Sequence, residues 1–517
     1  MKTSSRKFRL NRTLPTILAA SLAATLSATA ASAAPDPQAQ GSTAYYVDCS
    51  RGDDAASGTD PGHPWRTLAH VSAQGFAAGA EIRLLAGTTC TGTLTIHNSH
   101  VTVRSYGENA KARIDGAGAS DAIVVSNAED VELHDLDVVN TGPTKSQRRG
   151  IWVRLTDFGT GHHYVISNVD VHDVNGLDDK SAQGSAGILF SSLGTATPTR
   201  FDDVQVLDNT VTHVDRTGIS FSSSWNKRPE QGDQITTWNP NTGVRVVGNH
   251  VKDTGGDGIV LRVSTGALVA RNTVDGYNMR SAAYNAGIWS WNADHVTYEY
   301  NDVSHGHGVL DSMAYDIDGA NNGNVYQYNY SHDNEGGFLL ICTSPGVKSA
   351  DNIARYNVSI NDRNTWTPYY GIITIGCGAP TTNTQVYGNS IVSNQGGTTL
   401  VNDLRGLGGV TFRNNIFAAT VAGGLPVRDS SNTYDHNLFF GATTLPAHNS
   451  NAVTGDPGFM NADPKTPKDI RLRHDSPAAG AGTPISNDVT TDYFGKAIPA
   501  SPSLGADTRA PGSSKLD

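Results

Sequence analysis

The residues best suited to chemistry fall in two neighbouring stretches, Gly287-Ile288-Trp289-Ser290-Trp291 and Ala314-Tyr315-Asp316-Ile317-Asp318. Side chains two apart on a strand share a face, so each pair points one way, with the aspartate Cα atoms roughly 6.5 Å apart. Paired carboxylates supply what cleavage of a glycosidic bond needs: an acid for the leaving oxygen and a base or nucleophile. Like charges so close push one pKa upward, which suits the acid. Tryptophan offers a flat apolar face with a polar handle, suited to stacking on a sugar ring. Glu335, in His332-Asp333-Asn334-Glu335, falls near the mouth of the same surface, while His307 and Asp311 approach from the preceding loop and Arg262 from an earlier strand. The expected scheme gives Asp316 or Asp318 the role of base or nucleophile and Glu335 or the other Asp that of general acid. Trp289 and Trp291 form the sugar platform, with Arg262, His307 and Asp311 completing the substrate-binding set.

Each of these residues has a competing reading. Asp316, Asp318, Asp333 and Glu335 offer the several oxygen ligands a calcium ion takes, or Asp316 and Asp318 form a polar surface ladder. Trp289 and Trp291 can pack under a long loop. His305 and His307 can be loop structure, and Arg262 a surface ion-pair partner.

A recurring unit must position these side chains. An Asn stands at a bend at Asn168, Asn209, Asn249, Asn272, Asn301, Asn329, Asn357, Asn389, Asn414 and Asn437, at spacings of 23 to 41 residues. Gly-led strands keep the same beat at Gly150-Ile151-Trp152-Val153, Gly187-Ile188-Leu189-Phe190, Gly218-Ile219-Ser220-Phe221, Gly258-Ile259-Val260-Leu261, Gly337-Phe338-Leu339-Leu340 and Gly371-Ile372-Ile373-Thr374. Short β-branched and aromatic strands at this period cannot bury a face alone; stacked coil on coil they share one interior. The bend Asn residues then align and bond to one another. Steps of 23 residues are too short for a propeller blade, and a sandwich would show hairpin turns instead. The long insertions between Asn168 and Asn249, carrying Trp225 and Trp238, are placed to wall off one end of a groove, which favours exo action or short substrates.

The first 33 residues read as a secretory signal peptide: a basic start, an apolar stretch from about Leu14 to Leu26, and Ala31-Ser32-Ala33 as the cleavage pattern. Removing their five basic residues takes the formal charge from −11 to −16. An acidic chain argues against a nucleic-acid partner, and no stretch reaches the length of a membrane span. Four cysteines in a secreted chain suggest disulfides, with Cys49–Cys90 and Cys342–Cys377 the expected pairs.

The opening YYVDCSRGDD…GTDPGHPWRTL, the closing GDPGFMNADPKTPKDIRLRHDSPAAGAGT and the Asn-Gly coils between them resemble the pectate-lyase-like superfamily of secreted right-handed parallel β-helices. The resemblance implies an all-β fold, a single-stranded right-handed parallel β-helix (solenoid) with an N-terminal cap. The expected organisation is a signal peptide over 1–33, cap and first coils over 34–100, the β-helix over 101–455, and a tail over 456–517 packing on the last coils. That superfamily holds lyases, hydrolases, esterases and tailspike-like proteins, so fold alone does not choose. A polygalacturonase-like reading fails because Gly306-His307-Gly308 lacks its companion elements. The first expectation is an extracellular glycoside hydrolase acting on a polysaccharide or oligosaccharide without a cofactor. The alternatives are a calcium-dependent lyase acting on a uronate polymer and a non-catalytic glycan-binding β-helix.

Overall fold

The computed structural model describes residues 43–108, 110–364, 366–486 and 489–509; the expected signal peptide lies outside them. The chain winds as a right-handed parallel β-helix built from three sheets of 15, 13 and 14 strands. After the N-terminal strand Ala44–Val47, which pairs with the next strand in sequence, each sheet takes every third strand, so successive coils lie in parallel register. Strands run from two to eight residues, too short to stand alone. Their inward side chains stack instead. Ile259, Ile288, Tyr315, Leu339 and Ile373 follow one another in register along the 13-stranded sheet, within one apolar core that reaches from Val47 to Phe439.

A buried asparagine ladder fixes the corners. The side-chain oxygen of Asn249 accepts both the backbone N–H (3.1 Å) and the side-chain amide (2.9 Å) of Asn209. The same double bond repeats through Asn272, Asn301, Asn329, Asn357, Asn389, Asn415 and Asn437. Two expected members differ. Asn168 turns its amide to Asp135, and Val169 occupies the ladder position below Asn209. Asn415 takes the place assigned to Asn414, whose side chain binds Thr483 in the tail. The leading glycines have a steric cause. A Cβ on Gly218 would lie 2.7 Å from the Gly258 carbonyl oxygen and 2.6 Å from Val251, so only glycine lets the coils close at that corner.

At the N-terminal end, the strand Ala44–Val47, the helix Leu68–Ser72 and the buried Trp65, stacked on Tyr45 at 5.1 Å, cover the first coil. Thr67 caps that helix by accepting the His70 N–H at 3.1 Å. Both expected disulfides, Cys49–Cys90 and Cys342–Cys377, are formed. At the other end, Phe459, Ile470, Leu472, Leu504 and Ala506 pack on Val358, Val392, Ile416 and Leu438, covering the outer face of the 14-stranded sheet.

Candidate functional site

The outer face of the 13-stranded sheet carries the candidate residues in two adjacent columns. One runs Val260, Trp289, Asp316, Leu340 and Thr374; the other runs Arg262, Trp291, Asp318, Cys342 and Gly376. Parallel register thus sets Trp289 beside Asp316 and Trp291 beside Asp318, as alternation on the strands requires.

Their electrostatics divide the carboxyls. Asp316 is buried, and its Oδ1 finds no hydrogen-bond partner among the described residues. Burial, then the neighbouring Asp318 and Asp311, hold it protonated well above the usual carboxylate range. Asp318, half-buried, is pushed by burial to about 6, with Lys180, the Gly319 N–H and Arg262 pulling the other way. Asp311 is pushed by burial to about 7, although its Oδ1 accepts the N–H groups of Ser312 (2.7 Å) and Asn285 (2.9 Å).

Three residues that build this arrangement, Asp257, Arg216 and Lys180, escaped the sequence reading, which had named Arg262. Asp257 accepts the Trp289 indole N–H at 2.9 Å and the Ala286 N–H at 3.0 Å, and pairs with Arg216 at 3.2 Å. Burial works to raise its pKa, but Lys180 and Arg216 hold it below the ordinary value. Lys180 comes from the 175–185 segment. Its ammonium donates to the Tyr284 carbonyl and lies 5.3 Å from the Trp289 ring centroid. Arg262 lies 5.4 Å from the same ring and donates to the Lys180 carbonyl at 2.9 Å. The Gly255-Gly256-Asp257-Gly258 corner carried a local hint, a charge with no loop to hold it in water; Lys180 carried none.

Several expected placements change. Trp289 is only 6% exposed, wedged with Val260 and Ala286 and tied to Asp257, so it is a wall and not an open platform. Trp291 is half-exposed and lies over Gly319, where a Cβ would come within 2.6 Å of the indole and φ is +67°. Glu335 accepts the Gly308 N–H at 3.1 Å and pairs with His307 (2.8 Å) and Arg363 (3.3 Å). Burial raises its pKa, but these partners hold it below the usual value, so it stays ionised and does not suit a general acid. His307 is engaged with Glu335 and not with Asp316. Asp333 pairs with His332 at 2.9 Å, after a strand of the 14-stranded sheet. The four carboxylates considered for calcium therefore do not converge. Among the described residues, the acid and histidine donors that do gather are His305, His332 and Asp333.

Asp318, Trp289, Trp291, Arg262 and Lys180 line a cavity of about 390 Å³. The 175–185 segment closes its N-terminal end: the Ala182 carbonyl accepts the hydroxyls of Ser191 (2.9 Å) and Ser222 (2.8 Å). Of the insertions between Asn168 and Asn249 expected to close an end, the 175–185 part lies there, while the 224–241 part, with Trp225 and Trp238, runs lengthwise as a side wall. It is held by Arg228–Asp294 (2.6 Å), the Asn292 amide on the Asn226 carbonyl, and Lys348 N–H on Glu230 (2.7 Å).

Fold and site together define a right-handed parallel β-helix with a pocket on one sheet lined by Asp318, two tryptophans and two cations. No family model matches the chain. It is 25% identical to a lacto-N-biosidase of Bifidobacterium longum subsp. longum over 90% of its own length, and spans 36% of that relative. Among solved structures, it resembles a GH136 lacto-N-biosidase from Eubacterium ramulus at 23% identity and a TM-score of 0.61, covering 69% of this chain and 65% of that one. It also resembles XylC, solved with xylose, at 11% identity and a TM-score of 0.54, covering 90% and 98%. These two structural likenesses show the fold.

Proposed function

We propose that the chain is a secreted glycoside hydrolase that removes a short glycone from the end of an oligosaccharide. One observation carries this reading: Asp316 and Asp318 share one face, the buried Asp311 of the preceding loop is close enough to act on Asp316, and the three have separated acidities beside a pocket lined by Lys180 and Arg262. Asp318 lines the pocket and ionises near neutrality, so it serves as nucleophile or base at the anomeric carbon. A general acid works best with a pKa near the working pH. Asp311, at about 7, meets that condition; Asp316, held far above its ordinary range, suits a neutral hydrogen-bond donor to a sugar hydroxyl. Closure by Ala182 favours exo action. Likeness to lacto-N-biosidases supports the reaction class and makes a lacto-N-biosyl-capped oligosaccharide the first substrate to test. Two disulfides favour an oxidising, extracellular setting.

The scheme uses no metal. The test is product analysis on lacto-N-biosyl, xylan and uronate oligosaccharides, with and without EDTA. New reducing ends, insensitive to EDTA and lost in Asp318→Asn, are expected. Ultraviolet absorbance from an unsaturated uronate, abolished by EDTA, would overturn the proposal in favour of a calcium-dependent lyase. Tight glycan binding unchanged in Asp318→Asn, without turnover, would leave a binding module.

A further inference from the structure

Resting on that reading, we propose that a second, aromatic cavity on the C-terminal side of the carboxylates binds the leaving-group sugar, a pyranose laid with its C–H face on Trp366 and Tyr369. The glycone must sit against Asp318, in the pocket that Ala182 closes. The remainder of the substrate therefore has one way out along the groove, across Leu340 and Cys342 towards Thr374 and Gly376. Those residues lie two coils beyond the aspartates, about 10 Å along the axis.

A cavity of about 210 Å³ opens there, lined by Tyr284, Trp366, Tyr369, Tyr370, Thr374 and Arg405. Tyr284, Trp366 and Tyr369 are 55%, 53% and 56% exposed. Large apolar side chains scattered singly over a surface are ordinary; three aromatics around one cavity mark a binding surface. Each presents an apolar face with a polar tip, which matches a sugar ring's C–H face and rim of hydroxyls. The two cavities adjoin: the Tyr284 carbonyl of the second holds the Lys180 ammonium of the first, and Tyr370 packs on Leu340 and Cys342, one coil beyond the aspartates. Arg405 lies 5.6 Å from the Tyr369 ring centroid, where its remaining donors can meet hydroxyls.

Trp366 is held in place. Its indole meets His307 edge-on at 6.1 Å, and His307 is fixed by Glu335 at 2.8 Å. A Cβ on Gly308 would fall 2.2 Å from the indole nitrogen, so glycine is needed for the ring to lie there. Glu335 and His307 thus act as positioning residues for an aromatic rim, not as groups in the chemistry.

The test compares wild type with Trp366→Ala/Tyr369→Ala on a lacto-N-biosyl-capped tetrasaccharide and on lacto-N-biosyl fluoride, whose leaving group cannot reach the second cavity. The double variant should lose roughly tenfold more kcat/KM on the tetrasaccharide than on the fluoride. Equal losses on both, or no loss on either, overturn the proposal. If wild type turns over neither, the proposed reaction with that glycone has failed, and the cavity is judged by calorimetry. Asp318→Asn, with and without the double substitution, is titrated with the tetrasaccharide, xylotetraose and chitotetraose. A roughly tenfold weaker Kd for a bound glycan supports the cavity; unchanged affinity, or no binding of any of them, refutes it.

Discussion

Asp362 gives the sharpest test of how the corners are stabilised. It sits in the interior at a position equivalent to a ladder asparagine. Its Oδ1 accepts the Asn334 backbone N–H (3.0 Å) and side-chain amide (2.9 Å), the pattern that Asn249 shows to Asn209. Its Oδ2 accepts the hydroxyls of Ser331 and Ser359, both at 2.6 Å. Despite these four bonds, burial pushes its pKa up to about 6 from an ordinary 3.8. The folded state therefore binds the proton more tightly than the unfolded chain. Asp362 costs nothing below about pH 4, and the cost grows as pH rises through 4 to 6 and is complete above that. The full cost is roughly 3 kcal/mol at 1.36 kcal/mol per pKa unit. Asp362→Asn keeps the shape and the Oδ1 acceptor and removes the charge. Its amide becomes a donor to the two serine hydroxyls, which accept as readily as they donate. In urea denaturation followed at pH 4, 6 and 8, the variant should exceed wild type by up to about 3 kcal/mol at pH 8, with the gain vanishing near pH 4. A variant less stable than wild type at pH 8, or a difference independent of pH, would refute this account of the site.

On the proposed mechanism, kcat/KM should follow a bell, with an acid limb near the Asp318 value of about 6 and an alkaline limb near the Asp311 value of about 7. Asp311→Asn should remove the alkaline limb and lower kcat by about 10²–10⁴; a persisting alkaline limb would assign the proton elsewhere. Asn301→Ala deletes an oxygen that serves the Asn272 N–H and amide at 3.0 Å and an amide bound to Val269 and Asn329 at 2.9 Å. Roughly 3 kcal/mol of stability should go with it, read by chemical denaturation, since buried partners are left unpaired. The double variant Cys342→Ala/Cys377→Ala opens a 35-residue loop and should lose about 2–4 kcal/mol, measured against wild type under non-reducing conditions.

The coil architecture was legible because its signals are local and repeated. Leading glycines, bend asparagines and inward Ile, Val and Phe recur once per turn. Parallel register then converts sequence spacing into neighbours, which is why Trp289–Asp316 and Trp291–Asp318 contacts followed from alternation alone. What remained hidden depends on loops whose reach no period encodes. Lys180 meets Tyr284 across 104 residues of chain, and of the insertions between Asn168 and Asn249 only the 175–185 part lies at the end of the groove, the 224–241 part running along it. Glu335 misled because a carboxylate before a strand says nothing of its partners; His307, Arg363 and Gly308 settle its charge. Asn415 displaced Asn414 because two adjacent asparagines at a bend read alike until one is committed to the tail.

Charge balance explains why this surface separates its acids. Beneath and around the pocket, Asp178, Asp257 and Asp318 face Arg216, Arg262 and Lys180, with Arg216 3.0 Å from Asp178 and 3.2 Å from Asp257. Those three carboxylates and three cations cancel. Asp311 and Asp316 lie in the same closed-in region without a cation of their own, so a charge on either is uncompensated where desolvation is expensive. Both therefore bind their protons more tightly than an ordinary carboxyl, Asp311 up to about 7 and Asp316 more firmly still because it neighbours both Asp311 and Asp318. Donation of the Asp311 proton to a departing oxygen would leave the site one charge negative. Positive charge then develops on the sugar ring beside Asp318, and the two changes offset each other. The site is thus poised for a step in which proton loss and cation formation coincide, and Lys180, carried in on a loop from an earlier coil, completes the count.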